Sequence, residues 1–336
     1  MNRQIFAAVL TAATLVALYV LAPGAATAAT CVPATNIEAI IDDSGSMGYS
    51  DPDSNRAEAL KILIGKSGNA KKTLGALEFG SEDFSTPPTP AATTLFAPQL
   101  IGTGAAAMKA ALDANLKADH LATDYNAAFA LAKTDDPGAT ARIFLTDGGH
   151  NIGDYQNGHQ GGPPTYVLGM GIGVASATDA DATRLQQIAN ETGGIYYPNV
   201  DNGNVNSTMN QVDAALNCQA IGKTFTDLFS KAGQSKPKSL AIAASSRSVD
   251  LVLSWKSPLD QFAISNIVLR TKSGASISIA KRHLKIKRSS GKTYINVHIS
   301  GLKKGKLKFK LRSQTLGSGS ATGVSLTTQA TQGRRR

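Results

Sequence analysis

Between residues 35 and 217, apolar runs alternate with amphipathic stretches. The runs "IEAII" at 37–41 and "YVLGMGI" at 166–172 are almost continuously apolar, which is typical of strands covered on both faces. The stretches between such runs, for example "RAEALKILIG" at 56–65, place apolar residues at helical spacing. Strands that alternate with helices predict an α/β fold with a doubly wound, mainly parallel sheet.

The same pattern sets the expected element bounds. Strands are predicted at residues 36–41, 73–79, 142–146, 165–172 and 195–197. Helices are predicted at residues 56–65, 105–116, 124–133, 179–194 and 206–217. The helix at 179–194 ends at two glycines, which are common helix stops.

After Cys218 the period of the pattern changes to two. Runs such as "VDLVLSW", "TYINVHI" and "KLKFKLR" are separated by turns such as "RSSGK" and "LKKGK". This predicts an all-β sandwich over residues 238–329, similar to immunoglobulin-type sandwiches in architecture only. Residues 219–237 are predicted to be a polar linker. The tail "TQATQGRRR", whose residues 330–336 form a basic end, is predicted to be disordered.

The N-terminal residues 1–28 have the features of a secretion signal. Arg3 precedes an apolar run at 5–22, and the small residues up to Ala28 predict cleavage after that position. The alternative is an uncleaved membrane anchor, because the run is close to the minimum length for spanning a bilayer. The protein is therefore expected to be secreted or located at the cell surface.

The chain contains two cysteines, Cys31 and Cys218. An even count in an exported protein favours a disulfide over two free thiols. We therefore assign residues 31–218 to the first domain.

Charge is divided unevenly between the two halves. Residues 1–219 contain 11 Lys/Arg and 21 Asp/Glu, a balance of −10, whereas residues 220–336 contain 23 and 3, a balance of +20, which together give the net +10. The change of sign coincides with the change of hydrophobic period and is a second reason to place a domain boundary there.

Candidate chemistry lies where predicted strands end. Asp42, Ser44 and Ser46 follow the first strand in "DDSGSMG", Thr123 lies in "LATDYNAAFALA", and Asp147 ends a strand in "IFLTDGGHN". In a doubly wound sheet these three segments can meet at one edge. Carboxylate and hydroxyl oxygens suit a small hard cation such as Mg²⁺. The alternative is that these side chains only cap loops.

These segments, together with "YVLGMGIG" and "LQQIANETGGIYY", resemble the von Willebrand factor type A (VWA) domain over about residues 35–217. The resemblance implies a metal-ion-dependent adhesion site. Ser44, Ser46 and Thr123 would be direct ligands, and Asp42 and Asp147 would act mainly through water. The implied cofactor is Mg²⁺, with Mn²⁺ or Ca²⁺ as alternatives, and the implied partner is a protein that offers an Asp or Glu carboxylate to the ion.

The resemblance also bears on the cysteines. It implies that a Cys31–Cys218 bridge joins the ends of the domain away from the metal and restricts the last helix. In some relatives, movement of that helix changes affinity at the metal. We therefore expect a single affinity state.

The second domain offers a basic surface with two interpretations. It would bind an anionic cell-wall polymer or a membrane surface, or it is only a solvated lysine-rich face that keeps sheet edges from pairing. Nucleic acid is disfavoured, since aromatic residues for base stacking are not interleaved. The candidate residues are Lys281, Arg282, Lys285, Lys287, Arg288, Lys306, Lys308 and Lys310.

Taken together, the sequence favours an exported binding or adhesion protein that is not an enzyme. The first alternative is a structural or assembly subunit in which the cation only stabilises loops. An exported hydrolase ranks third, because the sequence has no "HExxH" motif, no phosphate-binding "GxxxxGK[ST]" loop and no histidine close to Ser44.

Overall fold

A computed structural model describes residues 31–80, 91–172, 180–271, 276–278 and 284–332. The predicted signal at 1–28 lies outside the described residues. Within the described part, no helix is both long enough and apolar enough to cross a bilayer.

The first domain is built on a six-stranded sheet in the order β3-β2-β1-β4-β5-β6. All neighbouring pairs are parallel except β2 and β3. The strands are β1 Asn36–Asp42, β2 Thr73–Phe79, β3 Ala92–Leu100, β4 Ala141–Thr146, β5 Thr165–Met170 and β6 Tyr196–Val200. The predicted strands all occur, but the antiparallel edge strand β3 was not predicted. Of its residues, Phe96 alone is buried, so the strand lacks the continuous apolar run of the inner strands.

Helices cover both faces of this sheet. They are α1 Met47–Ser50, α2 Asn55–Gly65, α3 Ile101–Asn115, α4 Tyr125–Asp135, α5 Ala180–Thr192 and α6 Val205–Leu216. Apolar residues of α2, α3 and α6 share one buried core with the sheet, and those of α4 and α5 share the other. Both faces of β1 and β4 are therefore buried, as their continuous apolar runs predicted.

The second domain is a sandwich of two antiparallel sheets, β11-β10-β14-β8 and β12-β13-β9-β15-β7. Its strands are β7 Ile221–Phe229, β8 Ser235–Ile242, β9 Ser246–Trp255, β10 Asp260–Thr271, β11 Ser276–Ser278, β12 Lys285–Ser290, β13 Tyr294–Ser300, β14 Gly305–Leu316 and β15 Thr322–Gln332. One apolar core, which includes Trp255, lies between the sheets. The predicted fold class is confirmed for both domains.

Two predictions about the ends of this domain are wrong. Residues 219–237 are not a linker, because they contain β7 and the start of β8. Residues 328–332 are not disordered, because they end β15 between β7 and β9. The first segment is rich in Lys, Thr, Ser and Gln, and the second is "TQATQ". Their hydrophobic signal is therefore weak, although Phe225 and Phe229 of the first segment contribute to the core. Residues 333–336 lie outside the described residues.

The two domains share a buried interface between helices α2 and α6 and the five-stranded sheet. The ammonium of Lys66 is buried and donates to Asp213 of α6 at 2.6 Å and to Gln329 of β15. The hydroxyl of Tyr294 donates to the carbonyl of Lys61 at 2.9 Å, within a small buried cluster with Ile62. Because buried polar groups here have partners across the boundary, the domains stabilise each other.

Neither cysteine is free, and Cys31 and Cys218 are both disulfide-bonded. The predicted disulfide is therefore confirmed.

A buried carboxyl group lies in the middle of β1. Glu38 is 1% exposed, and both of its carboxylate oxygens lack a hydrogen-bond partner among the described residues. Burial, followed by the charges of Asp136 and Asp135, raises the pKa of Glu38 to about 8, although Arg142 opposes this shift. The folded protein therefore binds this proton more tightly than the unfolded chain.

Because the folded state binds the Glu38 proton more tightly, this group's contribution to the free energy of unfolding should be fully present below the ordinary carboxyl pKa of 4.5. The contribution should be lost as the pH rises towards 8. Glu38→Gln cannot ionise, so the variant should gain stability relative to the parent between about pH 5 and about pH 8.5. The gain should reach a few kcal/mol, at about 1.4 kcal/mol per pKa unit. Urea unfolding at both pH values measures this difference. The control Asp53→Asn, at an exposed position, should show no such trend, and an equal trend in both variants would contradict the assignment.

Candidate metal centre

Three loops meet at the carboxyl-terminal edge of the first sheet. Asp42 is the last residue of β1, and the loop that follows it contains Ser44 and Ser46. The loop after β4 begins at Asp147, and Thr123 lies just before α4. Ser44 also forms a parallel bridge with His120, which holds the first loop beside the segment that leads to Thr123. The structure thus brings together all five residues that the sequence selected.

Hydrogen bonds connect four of these side chains or their backbone groups. The backbone N–H of Ser44 donates to Asp42 Oδ1 at 2.9 Å, and the hydroxyls of Ser44 and Ser46 are 3.1 Å apart. The Ser46 hydroxyl donates to Asp147 Oδ1 at 2.8 Å. The oxygens of two different loops are therefore already within contact distance of one another.

Thr123 faces the same small space from the third loop. A Cβ atom placed on Gly148 would lie 3.6 Å from Thr123 Oγ1 and 3.9 Å from Ser46 Oγ. A side chain at position 148 would therefore begin to fill the space between these hydroxyls. A compact cradle of hydroxyl and carboxylate oxygens fits a hard divalent cation.

Asp42 is fully buried at the base of the cradle. Burial raises its pKa to about 6, against hydrogen bonds from Ser44 and Thr146 that lower it. The Thr146 hydroxyl donates to Asp42 Oδ2 at 2.5 Å. The ionised carboxylate is thus costly by itself, and a cation in the cradle would offset that cost.

The sequence analysis missed two hydroxyl groups that position the carboxylates. Thr146 holds Asp42, and Ser50 of α1 donates to Asp147 Oδ2. Ser50 lies four residues after Ser46, one helical turn further on. This spacing would have indicated that Ser50 lies on the same side as Ser46, but only if the short helix α1 had been predicted.

A buried ion cluster lies directly behind the first loop. Arg56, at the start of α2, is 0% exposed and pairs with Asp43 and with Asp51, the latter at 3.1 Å. Asp43 also accepts hydrogen bonds from the backbone N–H groups of Lys117 and Ala118 at 3.2 and 2.9 Å. The cluster therefore joins the loop after β1 to α2 and to the segment before Thr123.

Asp43, Asp119 and His120 also lie close enough together to hold a cation. However, both oxygens of Asp43 already accept hydrogen bonds, from Arg56, Lys117 and Ala118. We therefore assign Asp43 to the ion cluster and not to a second metal site.

The basic residues selected from the sequence do not form one surface. Lys281 and Arg282 lie outside the described residues. In β12, Lys285 and Lys287 are exposed on the outer side of the five-stranded sheet, whereas the Arg288 guanidinium donates to the carbonyl of Ile264 in the other sheet. The remaining residues, which are exposed on the outer side of the four-stranded sheet, are Lys306, Lys308 and Lys310.

A central sheet between two helical layers, with the motif residues at its carboxyl-terminal edge, is the arrangement that the sequence resemblance implies. The doubly wound arrangement predicted for residues 35–217 is therefore observed, and it agrees with the resemblance to the VWA domain.

Comparison with known proteins gave structural matches only. No family model matches the chain, and no curated protein matches it. A von Willebrand factor type A protein from Catenulispora acidiphila matches 90% of this chain with 16% identity and a TM-score of 0.44. Proximal thread matrix protein 1 from the mussel byssus, with a zinc-occupied MIDAS motif, matches 57% with 17% identity and a TM-score of 0.41.

The manganese-loaded TRAP protein of Plasmodium vivax matches the present chain with 15% identity and a TM-score of 0.38. The match covers 63% of the present chain and 89% of the TRAP chain. The present chain spans 59% of the Catenulispora structure and 50% of the mussel structure.

Replacing Arg56 with methionine should strongly destabilise the first domain. The change leaves Asp43 and Asp51 buried without their cation, and breaking a buried ion pair from one side costs about 3–5 kcal/mol. Denaturant unfolding measures the loss. The matched control Lys71→Met, which removes an exposed cation, should change the free energy of unfolding by no more than about 0.5 kcal/mol. Equal stability of the two variants would show that the Arg56 cluster does not hold the loop.

Proposed function

We propose that the first domain binds a divalent cation through Asp42, Ser44, Ser46, Thr123 and Asp147. The supporting observation is the convergence of oxygens from three separate loops on one small cradle. Three of the five side chains are neutral hydroxyls. With Asp42 and Asp147 acting mainly through water, a bound Mg²⁺ or Mn²⁺ would keep part of its positive charge and attract an acidic side chain of a protein partner.

The surroundings of the cradle suit such a partner. Asp42, Ser44 and Thr123 are buried, while Ser46 is exposed, so the cradle opens on the side of Ser46. Close to this opening in the sequence, Tyr49 is 92% exposed and Leu121 is 60% exposed. Exposed aromatic side chains often contribute strongly to protein interfaces. We therefore propose a partner whose carboxylate is flanked by apolar residues.

The ion cluster favours this function over a purely structural cation. Arg56, through Asp43, already connects the loop after β1 with the segment before Thr123. A metal ion is thus not required simply to keep these loops together. The proposal of a binding protein outside the cytoplasm is also supported by the disulfide, since disulfides persist in oxidising compartments.

Removing a proposed ligand should weaken metal binding without unfolding the domain. Ser46→Ala and Thr123→Ala should each lower the affinity for Mn²⁺ by about tenfold or more, measured by titration calorimetry, because each removes one oxygen from the cradle. The control Thr134→Ala removes a hydroxyl that only donates to the carbonyl of Ala130 on α4, so its affinity should be unchanged. Unchanged affinity in all three variants would exclude this metal site.

Ser44→Asp should separate metal binding from adhesion. The added carboxylate should preserve metal binding but neutralise charge on the ion, so capture of an acidic partner should decrease. The measurement immobilises the parent protein and the Ser44→Asp variant and passes a cell-surface extract over each. The amount of extract protein that each retains is compared in Mg²⁺ and in chelator. Capture that is independent of Mg²⁺, or undiminished in Ser44→Asp, would contradict adhesion through the metal.

A further inference from the structure

The outer face of the four-stranded sheet bears a row of cations along β14. Lys306, Lys308, Lys310 and Arg312 are exposed at alternate positions, while Leu307 and the other residues between them point into the core. Alternate residues of an antiparallel strand lie about 6.8 Å apart. We call these four residues, together with Arg270 on the neighbouring strand β10, the cation row.

In the part of the chain that the structure describes, no acidic side chain neutralises the cation row. The second domain has only three acidic residues, and each has its own partners. Asp227 pairs with Lys238 at 2.7 Å, Asp250 contacts His298 at 3.1 Å, and buried Asp260 accepts hydrogen bonds from Ser318 and Thr322. No member of the row forms an ion pair within the described residues. The first domain packs on the other sheet of the sandwich.

This arrangement has an electrostatic cost. Arg270 lies directly opposite Lys306 in the β10–β14 pairing, and like charges in such cross-strand pairs are destabilising. Lysines are also common on sheet edges, where they prevent pairing with other chains. That explanation fails here, because β14 is an inner strand between β10 and β8.

The shape of the face points to an extended ligand. The residues paired with the row on β8 are Ser235, Pro237, Ser239 and Ala241. These short side chains do not cover the lysines on the β8 side. A hollow of about 350 Å³ follows the row beside Pro237, Ser239 and Asn266. A single row of cations along one strand, beside a hollow, matches a linear polymer better than a flat membrane.

The chemistry of the row narrows the class of polymer. Lysine ammonium groups bind phosphate as point charges. The residues that β8 and β10 place beside the row are small or aliphatic, and Phe309 points into the core. Proteins that bind single-stranded nucleic acids usually offer exposed aromatic rings on which the bases stack, and these neighbours of the row offer none. We infer that the cation row binds a linear phosphodiester polymer without bases, one phosphate per lysine, independently of the metal centre.

The test compares two charge-reversal variants of the full-length protein. Lys308→Glu/Lys310→Glu changes the row, and Lys285→Glu/Lys287→Glu makes the same change in charge on the other sheet, at exposed positions of β12. The probe is labelled poly(glycerol phosphate), followed by fluorescence anisotropy at low salt. The row variant should lose about tenfold or more in affinity, and the β12 variant less than about twofold. Lys308→Gln/Lys310→Gln serves as the row variant if charge reversal prevents folding.

Salt dependence and competing ligands provide the further outcomes. A plot of log affinity against log salt concentration has a negative slope. In the row variant the magnitude of that slope should fall by about 0.7 for each phosphate contact removed, the value for single-stranded nucleic acids. Equal losses in the two variants would show a response to net charge only and overturn the proposal. The absence of binding at low salt would also overturn it. Tighter binding to oligothymidylate or to vesicles of anionic lipid would overturn it in favour of those ligands.

Discussion

The candidate metal centre depends on a buried guanidinium. Arg56 compensates two carboxylates that would otherwise be buried and charged, Asp43 in the loop after β1 and Asp51 at the end of α1. Through Asp43 the same cluster reaches the backbone N–H groups of residues 117 and 118. In a low-dielectric interior such a cluster is sensitive to geometry, because every unpaired charge is expensive. The loops that present Ser44, Ser46 and Thr123 are therefore positioned before any ligand binds.

Helix α2 extends this constraint to the second domain. Arg56 at its start faces the metal centre, whereas Glu58 accepts a hydrogen bond from the backbone N–H of Lys292 at 2.6 Å. Beyond its end, Lys66 bridges α6 and β15. The second domain thus contacts both α2 and α6, a restraint on the last helix additional to the disulfide. A shift of α6 would disturb the buried partners of Lys66, which supports the expectation of one affinity state.

The sequence predicted those parts of the structure that have strong, local signals. The strands β1, β4 and β5 are buried on both faces, so their apolar runs were unambiguous, and strand ends gave the positions of Asp42 and Asp147. Strands β3, β7 and β15 lacked that signal because exposed or polar residues make up much of each. The pairing of Arg56 with Asp43 could not be predicted, because it depends on where α2 starts relative to β1. The separation of Lys287 from Lys308 likewise depends on strand order, which hydrophobic period does not encode.

The charge division between the domains also affects how each proposed site would act. The first 219 residues have a balance of −10, so the charges of the first domain itself do not attract an acidic partner. Attraction at the metal centre must then come from direct contact with the ion, within the Debye length of about 8 Å at physiological salt. The second domain has the opposite field, which attracts anionic polymers from a distance and at a rate that falls with salt. Binding at the metal centre is therefore expected to depend mainly on geometry, and binding at the cation row mainly on ionic strength.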